Sequence, residues 1–211
     1  MKKYILFDND GVLVDTEIWY FEANKKALKE LGLTLHMDTT YQEIMARGGT
    51  AWEVAFAQGI ETSVIDKKRV QRDIYYRDFL QTKNLEIPKV KKVLADLSKK
   101  YKMAIVTTSR RVDFELIHKK RGISDFMQFV LCVEDYNRAK PYPDPYLKGL
   151  ELFKASNEQA IVVEDSQRGL SSAVNAKIEC VIVKNDFTKT HDFSKANYFI
   201  DNLEQLETIL N

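Results

Sequence analysis

Short runs of consecutive apolar residues recur along the chain, and segments in which apolar residues return every three or four positions separate them. The runs contain few polar residues, which is typical of strands buried on both faces of a parallel sheet. They occupy residues 4–7, 103–107, 129–133, 160–164, 180–183 and 197–200. Helical periodicity occupies residues 88–100, 110–121, 144–153, 166–176 and 202–210. This alternation predicts an α/β fold, doubly wound, with a mainly parallel, Rossmann-like sheet.

The interval between the first two predicted strands breaks the alternation, because it shows helical patterns and no convincing strand pattern. The helical patterns cover residues 16–31, 39–46, 50–58 and 63–82. An interval of about 70 residues is longer than an ordinary crossover between neighbouring strands. We therefore predict two domains, an α/β catalytic core of residues 1–15 and 84–211 and an all-helical cap of residues 16–83 inserted into it. Pro88 is expected to open the helix that returns to the core.

The composition limits which cellular compartment and which classes of binding partner are expected. A net charge of +1 over 211 residues gives no general attraction to nucleic acid or to an acidic membrane, so we expect neither as a partner. No apolar run approaches the roughly 18 residues of a membrane helix, and the first run stops at Asp8, too early for a secretory signal. Cys132 and Cys180 lie in apolar runs and are expected to be buried free thiols. These features predict a cytoplasmic protein, and a core and cap of this size can work as a monomer.

Polar residues gather at the carboxyl ends of the predicted strands, where ligands bind in parallel α/β sheets. Each of them alone is typical of a helix cap, a turn or a solvated side chain. Together they converge on one edge of the sheet, and their chemistries are complementary. They are the acids Asp8, Asp10, Glu164 and Asp165, the hydroxyl residues Thr107 and Thr108, and the base Lys140.

This set of residue types favours a magnesium site that handles phosphate. Mg²⁺ prefers oxygen ligands, and we expect Asp8 and Asp165 to supply carboxylates, with Glu164 as a further ligand or a neighbouring acceptor. Lys140 could offset the clustered acids and a phosphoryl oxygen. The hydroxyl group of Thr107, with N–H groups at the start of a helix, could hold an anion. The sequence therefore predicts a small phosphorylated metabolite as the ligand.

Four stretches resemble the signature motifs of the haloacid dehalogenase-like hydrolases, in the same order and at suitable spacing. They are DNDGVLVDTE, IVTTSRR, RAKPYPDPY and VVEDSQRG, and the resemblance covers the whole chain. The helical insert after the first motif is similar to the cap of the C1-capped subgroup, which includes phosphoglycolate phosphatase and β-phosphoglucomutase. The resemblance implies a Mg²⁺-dependent phosphatase that forms an aspartyl-phosphate intermediate on Asp8.

The resemblance also implies a role for each motif residue. It implies that Asp8 is the nucleophile and that Asp10 is the general acid and base, whose backbone carbonyl group helps to bind Mg²⁺. It implies that Thr107, and with it Thr108, binds phosphate. For the later motifs it implies that Lys140 steadies the nucleophile and the phosphate, that Asp165 binds the metal and that Glu164 is the neighbouring acid.

The cap is expected to select the substrate, and its best candidate is the stretch ARGGTAWE at residues 46–53. Two glycines, Gly48 and Gly49, make a loop between helices, and Arg47 beside them could bind an anionic or hydroxylated substrate. A surface arginine in a turn is an equally good interpretation of Arg47. Tyr20, on the first cap helix, could line the entrance or pack between cap and core.

Alternatives remain open at this point. A β-phosphoglucomutase-like mutase carries a histidine and an arginine at places where this chain has Tyr20 and Ala51, which favours hydrolysis. A non-catalytic protein that binds a phosphometabolite is disfavoured by the intact motif set. The substrate could be a sugar phosphate, a phosphoglycolate-like compound or a nucleotide. Whether Arg110 or Arg111, at the start of a predicted helix, contacts it is also left open.

Overall fold

Six strands form the centre of the molecule. The structure, a computed structural model, describes residues 1–210, except for the side chains of residues 38 and 39. The strands are β1 Tyr4–Phe7, β2 Lys102–Val106, β3 Met127–Leu131, β4 Ala160–Glu164, β5 Glu179–Val183 and β6 Tyr198–Ile200. They lie in the order β3-β2-β1-β4-β5-β6, and each neighbouring pair is parallel. The predicted α/β fold with a parallel, Rossmann-like sheet is confirmed.

Helices connect the strands and also fill the long interval after β1. Four lie in that interval: α1 Glu17–Lys29, α2 Gln42–Ala46, α3 Glu53–Ala57 and α4 Thr62–Thr82. The others are α5 Val90–Leu97, α6 Arg111–His118, α7 Asp144–Phe153, α8 Gln167–Asn175 and α9 Leu206–Leu210. The prediction that Pro88 opens α5 is wrong, because Lys89 between them has a left-handed φ of 67° and the helix begins after it.

Alternating side chains of each strand supply the two layers of the core. Ile5 and Phe7 of β1 join a buried cluster on one face, which includes residues of α5 and α6. Leu6 points to the opposite face and packs in a second cluster with residues of α7 and α8. This alternation follows from the period of two in a strand. Because both faces are covered, the strands contain continuous apolar runs.

The helices between β1 and α5 bury a third cluster of their own. It contains large side chains of α1, α4 and the turns before α2 and α3, such as Phe21, Leu28, Tyr41, Trp52 and Ile65. The chain enters and leaves this helical segment at neighbouring points, since the N–H group of Asp15 donates to the carbonyl oxygen of Leu85 at 3.0 Å. The division into a core and a cap domain remains a prediction, and it is consistent with this separate cluster.

The two cysteines, Cys132 and Cys180, are buried free thiols in the described chain, as predicted. Among residues 1–210, we find no helix that combines the length and the apolar character required to cross a bilayer.

Candidate active site

The sheet register brings the ends of three strands together. Phe7, the last residue of β1, pairs with Ile105 of β2 on one side and with Val163 of β4 on the other. Asp8 continues β1, and its N–H group donates to the carbonyl oxygen of Val163 at 2.9 Å. Residues that follow these strands therefore meet at one edge of the sheet, and Thr107 follows β2 in the same way.

Three carboxylate groups form a buried cluster at this edge. One oxygen of each of Asp8, Glu164 and Asp165 lies within 4.8 Å of the others. Burial, together with the neighbouring Glu164, raises the pKa of Asp8 to about 8, although Lys140 opposes the shift. Burial and the charges of Glu164 and Asp8 also raise the pKa of Asp165 well above its usual value. Three acids that repel one another in this way, all with oxygen donors, fit a hard divalent cation such as Mg²⁺.

Two neighbours shape the approach to Asp165. Gly11 has a φ of +78°, and a Cβ atom at this position would lie 2.1 Å from Asp165 Oδ2. Only glycine allows the loop after β1 to pass the carboxylate so closely. On the other side, Asn185 Nδ2 donates to Asp165 Oδ2 at 2.9 Å. Asn185 follows β5, and no recognised motif in the sequence marked it.

Lys140 supplies the positive charge inside this cluster. Its Nζ atom lies 2.6 Å from Asp8 Oδ1, 2.6 Å from Glu164 Oε1 and 2.8 Å from the carbonyl oxygen of Val106. Burial lowers the pKa of Lys140, but the two carboxylates outweigh burial and hold that pKa above its usual value. Burial raises the pKa of Glu164, yet Lys140 and the hydroxyl group of Tyr146 outweigh it and hold that pKa low. Lys140 and Glu164 therefore form a charged pair, whereas burial and Glu164 favour the neutral form of Asp8 in the absence of metal.

Asp10 is held by hydroxyl groups rather than by a base. Its Oδ2 atom accepts hydrogen bonds from Ser109 Oγ at 2.7 Å and from Thr107 Oγ1 at 3.1 Å. Its Oδ1 atom accepts from the hydroxyl group of Thr16. Thr107 was predicted to bind phosphate, and here its hydroxyl group contacts Asp10. Thr16 and Ser109 belong to the quoted motif stretches, but the sequence assigned them no role.

Asn9, between the two acids of the first motif, points away from them. Its Oδ1 atom lies 2.7 Å from Nε2 of His118, at the end of α6. Burial lowers the pKa of His118 to about 4, so the ring is neutral at neutral pH. This contact attaches the loop that carries Asp8 and Asp10 to the helix behind it.

A cavity of 380 Å³ lies above the acids, between the core and the helical segment. Tyr20, Gly48 and Gly49 from the helical segment line it, as does Thr108 from the core. The structure does not bring Arg47 to this cavity, because its guanidinium group pairs with Glu53 and 61 % of its side chain is exposed. The predicted contact between Arg47 and the substrate remains untested.

The two arginines at the start of α6 differ in their placement. Arg110 lines the cavity and forms ion pairs with Asp73 of α4 at 2.6 Å and with Asp113 at 2.7 Å. Arg111 pairs with Asp135 at 2.5 Å and is not among the residues that line the cavity. Arg110 therefore links the helical segment to the core beside the cavity.

Glu17 separates this cavity from a larger one of 720 Å³ and lines both. The larger cavity borders Asp165 and Asn185 on the other side of the acidic cluster. Burial raises the pKa of Glu17 from 4.5 to about 7, against the opposing charge of Arg168. The folded protein therefore retains a proton on Glu17 at pH values where the unfolded chain releases it.

We expect Glu17→Gln to flatten the pH dependence of the free energy of unfolding between about pH 4.5 and 7. A raised pKa stabilises the fold fully below pH 4.5, and that contribution is lost as the pH rises through 7. At 1.36 kcal/mol per pKa unit, the contribution amounts to roughly 3 kcal/mol at most. Urea unfolding of the metal-free protein, measured across this range, provides the test.

The matched control is Glu22→Gln, on the same helix and with 38 % of its side chain exposed beside Lys25. For this variant, the free energy of unfolding should change with pH between about 4.5 and 7 as steeply as it does for the wild type. Equal slopes for wild type and Glu17→Gln would contradict the prediction.

Known proteins resemble this chain in sequence and in fold. The family model described as haloacid dehalogenase-like hydrolase matches residues 5–183. The pyrophosphatase PpaX of Bacillus anthracis is 27 % identical over 218 residues, which cover 98 % of this chain and 95 % of the relative.

Two solved structures superpose over almost the whole length. A predicted phosphoglycolate phosphatase from Haemophilus somnus 129PT has a TM-score of 0.85 at 22 % identity and covers 100 % of this chain and 98 % of its own. CbbY from Rhodobacter sphaeroides, solved in complex with phosphate, has a TM-score of 0.80 at 22 % identity and covers 98 % and 96 %. At these identities, the solved structures show a shared fold.

Proposed function

The chain belongs to the haloacid dehalogenase-like hydrolases and is a phosphatase of that family, and we propose that it hydrolyses a small phosphorylated metabolite with Mg²⁺ through an aspartyl-phosphate. The observation that supports the proposal most directly is the cluster of Asp8, Glu164 and Asp165 beside Lys140, which itself lines the 380 Å³ cavity. Lys140 places a positive charge 2.6 Å from Asp8 Oδ1, which attack of that carboxylate on a negatively charged phosphoryl group requires.

The proposed metal ligands are the carboxylates of Asp8 and Asp165 and the backbone carbonyl group of Asp10. Glu164 lies close enough to act as a further ligand, although its two oxygens already accept hydrogen bonds from Lys140 and from backbone N–H groups. When bound, Mg²⁺ supplies the charge that keeps Asp8 ionised and draws electron density from the phosphoryl group.

The proposed first step uses Asp8 as the nucleophile. A carboxylate oxygen of Asp8 attacks phosphorus, and the bond from phosphorus to the leaving oxygen breaks as Asp10 donates a proton to that oxygen. Lys140 reduces the repulsion between the carboxylate and the phosphoryl oxygens. Thr107 and Thr108 are proposed to bind the phosphoryl group from the side of β2, where Thr108 lines the cavity.

In the proposed second step, Asp10 takes a proton from a water molecule. The water oxygen attacks phosphorus, phosphate leaves, and the Asp8 carboxylate is restored. The hydroxyl groups of Thr16 and Ser109 orient the Asp10 carboxyl group towards the cavity through both of its oxygens. Donors of this kind hold a carboxyl group in place without a competing full charge.

We propose that residues 16–83 act as a cap over a core of residues 1–15 and 84–211. The cavity has one wall from each part, and the cap wall includes Tyr20, Gly48 and Gly49. We propose these three residues as determinants of specificity. The mutase alternative is disfavoured, because the positions at which a mutase carries a histidine and an arginine hold Tyr20 and Ala51. Both residues line the cavity, and neither supplies an imidazole or a guanidinium group.

Hydrolysis of p-nitrophenyl phosphate tests this proposal, since the leaving group is coloured and needs no recognition by the cap. We expect turnover with Mg²⁺ and loss of at least about 100-fold in rate with EDTA, because the cation provides several kcal/mol of charge stabilisation. Adding Mg²⁺ back in excess should restore the rate, which controls for damage by the chelator. Hydrolysis that resists EDTA, or none across sugar phosphates, phosphoglycolate, pyrophosphate and nucleotides, would contradict the proposal.

A further inference from the structure

Arg168 is a partly buried arginine whose position local structure does not explain. It lies in the first turn of α8, where the helix dipole disfavours a positive charge. Its side chain is 21 % exposed, and it lines the 380 Å³ cavity from the core side. Removing a guanidinium group from water costs free energy unless its donors find acceptors. The position of the Arg168 guanidinium group must therefore be explained by the groups that it contacts.

The other arginines that line this cavity each donate a hydrogen bond to a carboxylate group. The pairs are Arg69 with Asp66 at 3.2 Å, Arg72 with Asp73 at 2.9 Å and Arg110 with Asp113 at 2.7 Å. Arg168 differs, because its carboxylate neighbour Glu17 lies 3.9 Å away, beyond hydrogen-bond distance. Among the described residues, which leave out the side chains at positions 38 and 39, no side-chain hydrogen bond from Arg168 is found. Its donors are thus available to a molecule in the cavity.

The charge on Arg168 is secure. Burial lowers the pKa of Arg168, but the carboxylates of Glu17, Asp8 and Glu164 outweigh burial and hold it above its usual value. A guanidinium group presents donors in a planar fork that matches a carboxylate or a phosphate group. Lys140 donates to Asp8 and Glu164. Among the described side chains that line this cavity, Arg168 is therefore the cation without a hydrogen-bonded carboxylate.

We propose that Arg168 binds a second anionic group, a carboxylate or a phosphate, on the part of the substrate that leaves after phosphoryl transfer. The inference rests on the proposed phosphatase activity and narrows its substrate class to phosphomonoesters or anhydrides with a charged leaving group. A cavity of 380 Å³ holds a compact molecule of this kind.

Kinetics on matched substrates test this assignment. One pair is phosphoglycolate and the compound in which a neutral amide replaces its carboxylate. The other pair is pyrophosphate, whose leaving group is a charged phosphate, and methyl phosphate, whose leaving group is neutral methanol. For the wild type we expect kcat/KM to favour the charged member of at least one pair, and Arg168→Gln should lower that ratio by about 10- to 100-fold. The change should lie mainly in KM, because the anion contact is present in both ground and transition states. Arg168→Lys should recover part of the ratio.

Arg69→Gln is the matched control, since it removes one positive charge from the same cavity but from an arginine that already pairs with Asp66. It should leave the substrate ratio unchanged. An equal loss on both members of a pair in Arg168→Gln would assign Arg168 a purely structural role and overturn the inference. If Arg168→Gln lowers the ratio only for phosphoglycolate and its amide, the second anionic group is a carboxylate. If it lowers the ratio only for pyrophosphate and methyl phosphate, the group is a phosphate.

Binding separates failure of this inference from failure of the proposed activity. The phosphonate groups of phosphonoacetate and of its carboxamide, in which a neutral amide replaces the carboxylate, cannot be hydrolysed. Calorimetry therefore measures the affinity for each compound without turnover. We expect the wild type to bind phosphonoacetate about 10-fold or more tightly than the amide and Arg168→Gln to lose that preference. If no phosphoester is hydrolysed, this comparison still decides the role of Arg168. Equal affinities of the wild type for both compounds would overturn that role for a carboxylate.

Discussion

Asp8→Asn should abolish hydrolysis of p-nitrophenyl phosphate, with a fall in kcat of at least about 10⁴-fold, as is usual when a covalent nucleophile is removed. An amide cannot form the acyl-phosphate bond that the proposed mechanism requires. The variant should nevertheless fold. The Asp8 carboxylate is destabilised by burial and by Glu164, so a neutral side chain of the same shape relieves repulsion within the acidic cluster.

Asp15→Asn is the matched control for this experiment. Asp15 belongs to the same stretch of sequence but is exposed. It borders the 720 Å³ cavity and not the 380 Å³ one, and its backbone N–H group donates to Leu85. This variant should retain most of the activity. Trapping the reacting wild type with borohydride should reduce an aspartyl-phosphate, and mass spectrometry should locate the product at position 8. A label on another residue, or appreciable turnover by Asp8→Asn, would refute the assignment.

Lys140→Met should lower the free energy of unfolding by about 3–5 kcal/mol at neutral pH in the absence of metal, which is the usual result of removing one partner from a buried ion pair. Methionine has a similar length, so little cavity forms. The loss arises because Asp8 and Glu164 remain buried without the cation that lies 2.6 Å from each. Urea unfolding in EDTA measures the effect, which should shrink at acidic pH as the carboxylates take up protons.

Lys148→Met provides the comparison, since Lys148 pairs with Glu151 at 3.0 Å on the surface with 37 % of its side chain exposed. Exposed pairs contribute about 0–1 kcal/mol. Adding Glu164→Gln to Lys140→Met should recover part of the stability, because the carboxylate charge of Glu164 that lost its partner disappears. A Lys140→Met protein as stable as Lys148→Met would show that the buried pair contributes no net stability.

The sheet was predictable because its strands are buried on both faces and therefore contain uninterrupted apolar runs. The predicted bounds of β1 and β4 match the structure, whereas the run at 129–133 extends two residues past β3. Cys132 is apolar and buried, but the strand ends before it, at Leu131. The N–H group of Cys132 donates to Asp135 Oδ2 at 2.7 Å and not to a neighbouring strand. Hydrophobicity reports burial and does not report where strand pairing stops.

The motif residues were predictable because parallel strands end at one edge, so residues after different strands become neighbours. Contacts that depend on the direction of a side chain could not be predicted from the sequence. Nothing in a linear pattern shows that Arg47 points outward while Arg168 points into the cavity. The same holds for Asn185, whose contact with Asp165 depends on how the loop after β5 folds back over the edge of the sheet. Such contacts require the three-dimensional arrangement of segments distant in sequence.

The loop at Gly48 limits how the sequence can diverge. Its φ of +82° disfavours every residue with a side chain, and a Cβ atom there would lie 2.8 Å from Cδ of Pro141 in the core. These two restrictions are independent, so an asparagine that tolerates the backbone angle still collides with the proline ring. Position 48 should accept other residues during evolution only in relatives whose loop no longer rests on this proline, and those relatives would have a wider entrance and a different range of substrates.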